Sequence, residues 1–291
     1  SLLLLILFIN VKSTDLFSLI KAINKILPFF IIYILILLLL AIIFPDIYIT
    51  FMSFISPNSV NAIKENLDVL RYSYFFSDPN TFGYLLALIG NFILLNFNYK
   101  NNAILLWVII LFLILTTQSR GALLSLVFTT SIYLFHYSKF DKKTFKYLLI
   151  LPFLFIILTF VFYDYLLFFI EAFEKRSELE EAMGSNLGGG RYEKYIYFIN
   201  NISLSFYGVG YTLFIDGSVF RPHSDLIRIV LSYGMFFSIT LTYFLYPNNF
   251  RSFLIVTSAI FPFLINTIID DYRLFGVFLI FFILSKNNTK I

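Results

Sequence analysis

The chain has no cysteine and only two histidines, His136 and His223, among 291 residues. Without thiols it has neither a disulfide framework nor a thiolate metal site, and two histidines so far apart give little support to an imidazole one. Charge is also scarce. With 13% charged residues against 59% hydrophobic and 21% aromatic, there is far too little polar surface to cover a soluble globule of this length. The net charge of +4 is no argument for nucleic acid, because in a membrane chain the placement of charges matters more than their sum. The opening Ser1-Leu2-Leu3-Leu4-Leu5 has no methionine, no basic region and no small-residue cleavage site after it. It reads less as a signal peptide than as the tail of a helix whose beginning is missing, so an N-terminal truncation is expected.

What the chain does have is apolar runs. A bilayer core of about 30 Å needs roughly 20 apolar residues per tilted helix, and fewer if the segment stands straight. The candidate spans are 1–10 (partial), 27–44, 81–97, 103–117, 121–137, 147–170, 225–246, 252–269 and 272–285. The expected fold is an all-α polytopic membrane protein, a bundle of about nine transmembrane segments forming one integral membrane domain over 1–291. Two long polar stretches, 45–80 and 171–224, interrupt it. If 27–44 runs outward, both fall on the outer side, and 171–224 is a large outer loop.

Charge placement supports that orientation. The inner side then carries 11 cations, including the cluster Lys139 to Lys146, against Asp15 and Asp141, as the positive-inside rule requires. Residue type sorts more sharply than charge: ten of thirteen lysines lie inside, whereas Arg71, Arg120, Arg176, Arg191, Arg221, Arg228 and Arg273 lie outside or at outer helix ends. Arginine's planar fork of donors suits phosphate and carboxylate, so the sorting points to an outward-facing anion site. Salt bridges to the many outer acids are the competing account.

Within the large loop, Glu171 to Met183 is an acidic helical run and Gly184-Ser185-Asn186-Leu187-Gly188-Gly189-Gly190 a hinge. Its glycines lack the Lys-Ser/Thr ending of a phosphate-binding loop. From Arg191, the apolar positions Tyr192, Tyr195, Ile196, Ile199, Ile202 and Phe206 recur at helical spacing. This predicts an amphipathic helix in the outer interface, or one packed on the bundle.

Four clusters are candidates for chemistry. Asp78-Pro79-Asn80 places a capping carboxylate and a helix-starting proline before the third span. Thr117-Gln118-Ser119-Arg120-Gly121-Ala122 is a tight turn whose single charge, Arg120, either reaches an anion at the membrane surface or anchors the helix. Arg221-Pro222-His223-Ser224-Asp225 ends a Gly/Pro-punctuated loop, with Ser224 or Asp225 as the cap of the following helix. The helix N-terminus and the flanking Arg221 and Arg228 favour a neutral His223 that can accept a proton, while Asp225 pulls the other way. An ion-pair ladder among Arg221, Asp225 and Arg228 is the structural alternative. Asp270, Asp271 and Arg273 fill a short outer turn.

Pro79-Asn80, Ser119-Arg120-Gly121-Ala122 with Leu124, Arg191 opening the amphipathic segment, Gly208-Val209-Gly210, and His223-Ser224 with the later Gly234 occur in one order. In this the chain resembles the O-antigen ligase and polymerase superfamily of bacterial envelope glycosyltransferases, over about residues 70 to 240. Phe237 departs from the ligase pattern, which often has a small residue or tyrosine there. The resemblance implies a GT-C-like bundle with amphipathic helices in its outer loop, sited in the bacterial cytoplasmic (inner) membrane. It also implies a metal-independent, cofactor-free, inverting transfer on the outer face, from a polyprenyl-pyrophosphate-linked glycan to a sugar hydroxyl. On that basis Arg120 and Arg191 bind the pyrophosphate, His223 is catalytic at the acceptor, and Arg221, Arg228 and Asp225 support them. A Wzy-type repeat-unit polymerase is the favoured form, with a chain-length regulator as a candidate partner, and a glycan ligase is the alternative. A lipid-linked oligosaccharide flippase is the alternative from another class, though no internal repeat is seen and the charges gather at helix ends.

Overall fold

A computed structural model of the chain describes residues 13–96, 101–138, 191–210, 214–215, 218–219, 224–265 and 272–287. They fall in two compact units, Ile26–Gly184 and Ser1–Lys25 with Ser185–Ile291. The regular elements among the described residues are helices apart from a short antiparallel hairpin, β1 (Phe214–Ile215) and β2 (Ser218–Val219). Seven of the nine expected spans fall wholly or largely on described residues, and each coincides with a helix. The spans 1–10 and 147–170, the acidic run Glu171 to Met183 and the glycine hinge lie outside the described residues. Among the described residues two stretches are long and apolar enough to cross a bilayer, Ser18–Ile43 and Leu226–Phe244; Pro79–Leu95, Ala103–Thr117 and Phe250–Leu264 are apolar but shorter.

The Ile26–Gly184 unit begins within α1 (Ser13–Ile43). Leu27, Ile31, Ile34, Leu38 and Ala41 form a buried stripe, while Phe29, Ile32, Ile36, Leu39 and Ile43 are exposed. A helix apolar on its exposed face as well as its buried one is solvated by lipid rather than water. Two short helices follow, α2 (Pro45–Ile55), with proline at its first position, and α3 (Val60–Asp68). The heart of the unit is α4 (Pro79–Asn96), which packs on both α5 (Asn101–Thr117) and α6 (Arg120–Ser138).

Small residues set that packing, as between membrane helices generally. A methyl on Gly83 would stand 2.8 Å from Ser119 Cβ and 3.0 Å from Ala122 Cβ, and one on Gly90 2.8 Å from Leu126 Cδ1. Both glycines lie on one face of α4, two turns apart. Deeper in, the Thr129 hydroxyl of α6 lies 2.7 Å from Asn91 Oδ1 of α4, a polar tie between buried side chains.

The second unit contains α7 (Arg191–Asn200), a 3-10 turn Ile202–Ser205, α8 (Asp225–Phe244), α9 (Phe250–Ile265) and α10 (Tyr272–Asn287). Helices α9 and α10 pack against one another. Asn249 ties their ends: its Oδ1 accepts from Ser252 N at 2.8 Å to start α9, and its Nδ2 donates to Ser285 O and Lys286 O at 3.0 and 2.9 Å at the end of α10.

Candidate active site

In the Ile26–Gly184 unit the candidate chemistry sits where α4 and α6 begin and α5 ends. Asp78 caps α4 as its sequence predicts, with Oδ1 accepting from Asn80 N (3.0 Å) and Oδ2 from Thr81 N (3.2 Å). Its oxygens also accept from Asn80 Nδ2 and Thr81 Oγ1, each at 3.0 Å. The α5–α6 turn is buried throughout: Thr116, Thr117, Gln118 and Ser119 are each at most 2% exposed. Ser119 caps α6, its Oγ accepting from Ala122 N at 3.4 Å, and Arg120 follows as the first helical residue with its side chain exposed.

A loop from the polar stretch 45–80 grips this turn. Gln118 Nε2 donates to Leu70 O (3.3 Å), Tyr72 N to Thr116 O (3.1 Å), and the Tyr74 and Thr116 hydroxyls lie 2.8 Å apart. Tyr48 of α2 closes the chain by donating to Tyr74 O at 2.9 Å. Burial pushes the Tyr48 and Tyr74 phenols above their ordinary range, so both stay neutral. Three non-glycine residues with positive φ, Leu70 (58°), Tyr74 (55°) and Gln118 (52°), all belong to this grip. Each costs on the order of 1–3 kcal/mol, and such conformations persist where the surroundings over-determine them. Arg71, half-buried between the two gripped residues Leu70 and Tyr72, donates from Nη2 to Asn80 Oδ1 at 3.3 Å.

In the second unit three elements meet at the C-terminal end of α9, where the last carbonyls of a helix lack internal partners. Tyr195 OH of α7 donates to Leu264 O at 2.5 Å, and Ser224 Oγ donates to Phe263 O at 3.2 Å. Ser224 is the residue before α8 and is 1% exposed, yet its side chain makes no cap bond to its own helix. The expected capping by Ser224 is thus replaced by a tie to a neighbouring helix.

The span expected to run unbroken to about Tyr246 is interrupted at Gly234, which has φ 84° and ψ 170°. In an unbroken helix the carbonyls of Leu231 and Ser232 would take the amides of Met235 and Phe236. They accept instead from Val209 N (2.6 Å) and Gly210 N (3.2 Å). The approach is as close as backbones allow: a methyl on Gly208 would stand 2.7 Å from Ser232 O, and one on Gly234 2.8 Å from Phe206 O. Gly208-Val209-Gly210 and Gly234, separate marks in the sequence, are two halves of one clasp. The Tyr233 and Phe237 rings sit 4.9 Å apart across the break.

The amphipathic segment also differs from a single helix. It ends at Asn200 and resumes as the 3-10 turn. Tyr195, Tyr197, Phe198, Leu204 and Val209 pack on Ile227 and Leu231 of α8, while Ile196, Ile199, Ile202 and Phe206 are exposed. The packing reading holds for one side, which lies on α8, and the other side presents an apolar stripe of the kind an interfacial helix carries.

The predicted site residues divide accordingly. Arg120 is in the Ile26–Gly184 unit; Arg191 and Asp225 open α7 and α8 in the other, and Arg228 is half-buried one turn into α8, with its N donating to Ser224 O at 3.0 Å. The side chains of Arg191 and Asp225, all of Arg221 and His223, and Asp270 and Asp271 lie outside the described residues. Arg273 is exposed in the first turn of α10. Sequence reading missed the pairing of Arg71 with Asn80 and the grip on the α5–α6 turn. Gln118, a long polar side chain in a buried turn, was the available signal.

A family model described as O-antigen ligase matches residues 105–242, from α5 through nearly all of α8. The segment is of the O-antigen ligase family. The match agrees with the superfamily suggested by the motifs, and it takes in Arg120, Arg191, Arg221, His223, Asp225 and Arg228. No curated protein and no solved structure matches the chain. Proteins of that family are membrane proteins that process glycans.

Proposed function

We propose that this O-antigen ligase family protein is a repeat-unit polymerase. It moves a glycan from a polyprenyl-pyrophosphate donor to a sugar hydroxyl of a second lipid-linked glycan, on the outer face of the bacterial cytoplasmic membrane. The bundle acts as one integral membrane domain of about nine spans and GT-C-like form, with 171–224 as its outer loop. The acceptor oxygen attacks the anomeric carbon as the bond to the pyrophosphate breaks, and inversion follows from attack on the opposite face. His223 takes the hydroxyl proton, and Arg120 and Arg191 receive the departing pyrophosphate charge. Hydrogen bonds to charged groups contribute about 1.5–3 kcal/mol each, so two or three aimed at developing charge accelerate the step by several powers of ten. Arg221, Arg228 and Asp225 hold these groups in place.

The observation that carries this reading is the setting of Arg120, an exposed guanidinium on a wholly buried and strained turn. A snorkelling anchor requires no such grip. The test is His223→Ala and Arg120→Ala in cells, with membrane insertion checked separately. Each is expected to abolish long chains on a glycan gel while single repeat units still reach the acceptor. Full-length glycan from both variants overturns the assignment.

A ligase is the second reading, favoured by the description of the matching family. Loss of all attached glycan in the same experiment marks it, and a chain-length regulator is a partner only under the polymerase reading. The broken α8 is a feature shared with transporters. Its Leu231 and Ser232 carbonyls, however, are filled by the chain's own amides rather than left for cargo.

A further inference from the structure

We infer that the end of α9 away from Tyr195 and Ser224 binds the phosphate of an anionic phospholipid, with Arg251 as the guanidinium that receives it; none of the residues assigned to glycan transfer takes part. Arg251 is half-buried in the first turn of α9, and its Nη1 is buried with no hydrogen-bond partner among the described residues. An arginine that merely anchors a helix snorkels, sending its nitrogens out to water. A buried guanidinium nitrogen without an acceptor calls for one, since arginine has only donors to offer. The neighbouring chain holds no carboxylate for the purpose: no acid lies between Asp225 and Asp270, and none follows Asp271. Asp225 opens α8 at the other end, where Ser224 meets Phe263 O near the close of α9.

The end of α10 is fastened to the same turn. Asn249 and Ser252 cap α9 reciprocally, Asn249 Oδ1 accepting from Ser252 N at 2.8 Å and Ser252 Oγ from Asn249 N at 3.2 Å. Asn249 Nδ2 donates to Ser285 O at 3.0 Å and Lys286 O at 2.9 Å, so two carbonyls that would repel an anion from the end of α10 are occupied. Ser285 is 3% exposed, and its Oγ is a second buried polar atom with no partner among the described residues. One asparagine side chain thus joins the turn of Arg251 to the residue that carries this hydroxyl. Lys286 keeps its ammonium 5.3 Å from the Phe282 ring centroid, an attraction that leaves its charge uncancelled. The first amides of α9 add the positive end of a helix. A phosphate, with oxygens that point in several directions, can accept from donors of all these kinds.

The surroundings favour a lipid phosphate over a free one. Tyr243, Tyr246 and Phe253, which flank the turn between α8 and α9, are all exposed, and tyrosines gather where a membrane meets water. Basic sites between helices at that level hold anionic headgroups. The experiment counts bound lipid rather than glycan. The full-length protein, purified in detergent, is titrated with phosphatidylglycerol, with phosphatidylcholine of the same acyl chains and with inorganic phosphate, and the adducts are counted by native mass spectrometry. The variants are Arg251→Gln, Arg251→Lys, Ser285→Ala and Lys286→Gln, each checked for its thermal midpoint without lipid. Phosphatidylglycerol should bind the parent in preference to the other two probes.

Arg251→Gln should bind phosphatidylglycerol about tenfold more weakly, as for the loss of one charge-assisted contact, while its lipid-free midpoint stays at the parent's value or rises. Arg251→Lys should recover only part of the affinity, because a point charge lacks the planar fork. Ser285→Ala and Lys286→Gln should each weaken binding less than Arg251→Gln. Parental affinity in Arg251→Gln overturns the inference, and so does equal affinity of the parent for the two lipids. Inorganic phosphate bound as tightly as phosphatidylglycerol overturns the assignment to a lipid. A lipid-free midpoint lowered by several degrees in Arg251→Gln shows that Arg251 serves a partner within the protein, and that too overturns the inference. Every outcome leaves the proposed function as it stands, because these variants leave Arg120, Arg191 and His223 in place.

Discussion

The two units position their candidate residues by opposite means. In the Ile26–Gly184 unit the turn before Arg120 is gripped mainly by side chains: a glutamine, a threonine and two tyrosines reach across to backbone and hydroxyl partners. In the second unit the stretch before His223 is clasped backbone to backbone, Gly208-Val209-Gly210 lying in the break of α8 at Gly234. A side-chain grip weakens by degrees when one member is trimmed. A backbone clasp has no side chain to trim and fails when one is added.

The largest effect should come from adding a methyl to the clasp. Gly234→Ala brings Cβ to 2.8 Å from Phe206 O and forces a φ of +84° with an extended ψ, a region essentially reserved for glycine. A loss of about 3 kcal/mol, a thermal midpoint lowered by several degrees and little glycan product are expected. A variant as stable as the parent would mean that the break does not need glycine.

Next is the same addition to the first unit. Gly83→Ala places Cβ 2.8 Å from Ser119 Cβ and 2.9 Å from Thr117 Oγ1, both on the turn that carries Arg120. Overpacking of about 1–3 kcal/mol is expected, read by the fluorescence of Trp107, the single tryptophan, which lies in this unit. A smaller loss than for Gly234→Ala sharpens the contrast, because side chains can give way where backbone cannot.

The pH dependence separates the grips further. Burial raises the Tyr48 and Tyr74 phenols, against a smaller opposite pull on Tyr74 from its bond to Thr116. The folded chain then keeps protons that the unfolded chain releases above pH about 10. The stability that these groups contribute is whole below that value and declines as pH rises beyond it. Unfolding followed through Trp107 should show the decline, and Tyr48→Phe should flatten it. The smallest effect is expected for Thr129→Val, which removes the tie to Asn91: about 0.6 kcal/mol, the average for such bonds between membrane helices.

Much of this was legible in the sequence, and what was not has a common cause. Helix positions followed from apolar run length, and Asp78-Pro79 announced the start of α4 because capping is a local interaction. The break at Gly234 was invisible, because a lone glycine in an apolar run reads as helix unless its partner is known. That partner, Gly208-Val209-Gly210, lies about two dozen residues away. Ser224 misled for the same reason: local rules make it a cap, and a carbonyl of α9 takes its hydroxyl instead. The superfamily was legible from motif order, which needs no contacts at all.

The described residues on either side of 211–223 are each fastened to a neighbouring helix. Upstream, Val209 and Gly210 are fastened to α8; downstream, Ser224 is fastened to the last turn of α9. A span held by two posts can lengthen, shorten or change composition between them at little entropic penalty, since closure entropy grows only slowly with length. Under the proposed function, the twelve positions from 211 to 222 can be varied to test acceptor choice while the fastenings of Val209, Gly210 and Ser224 stay in place.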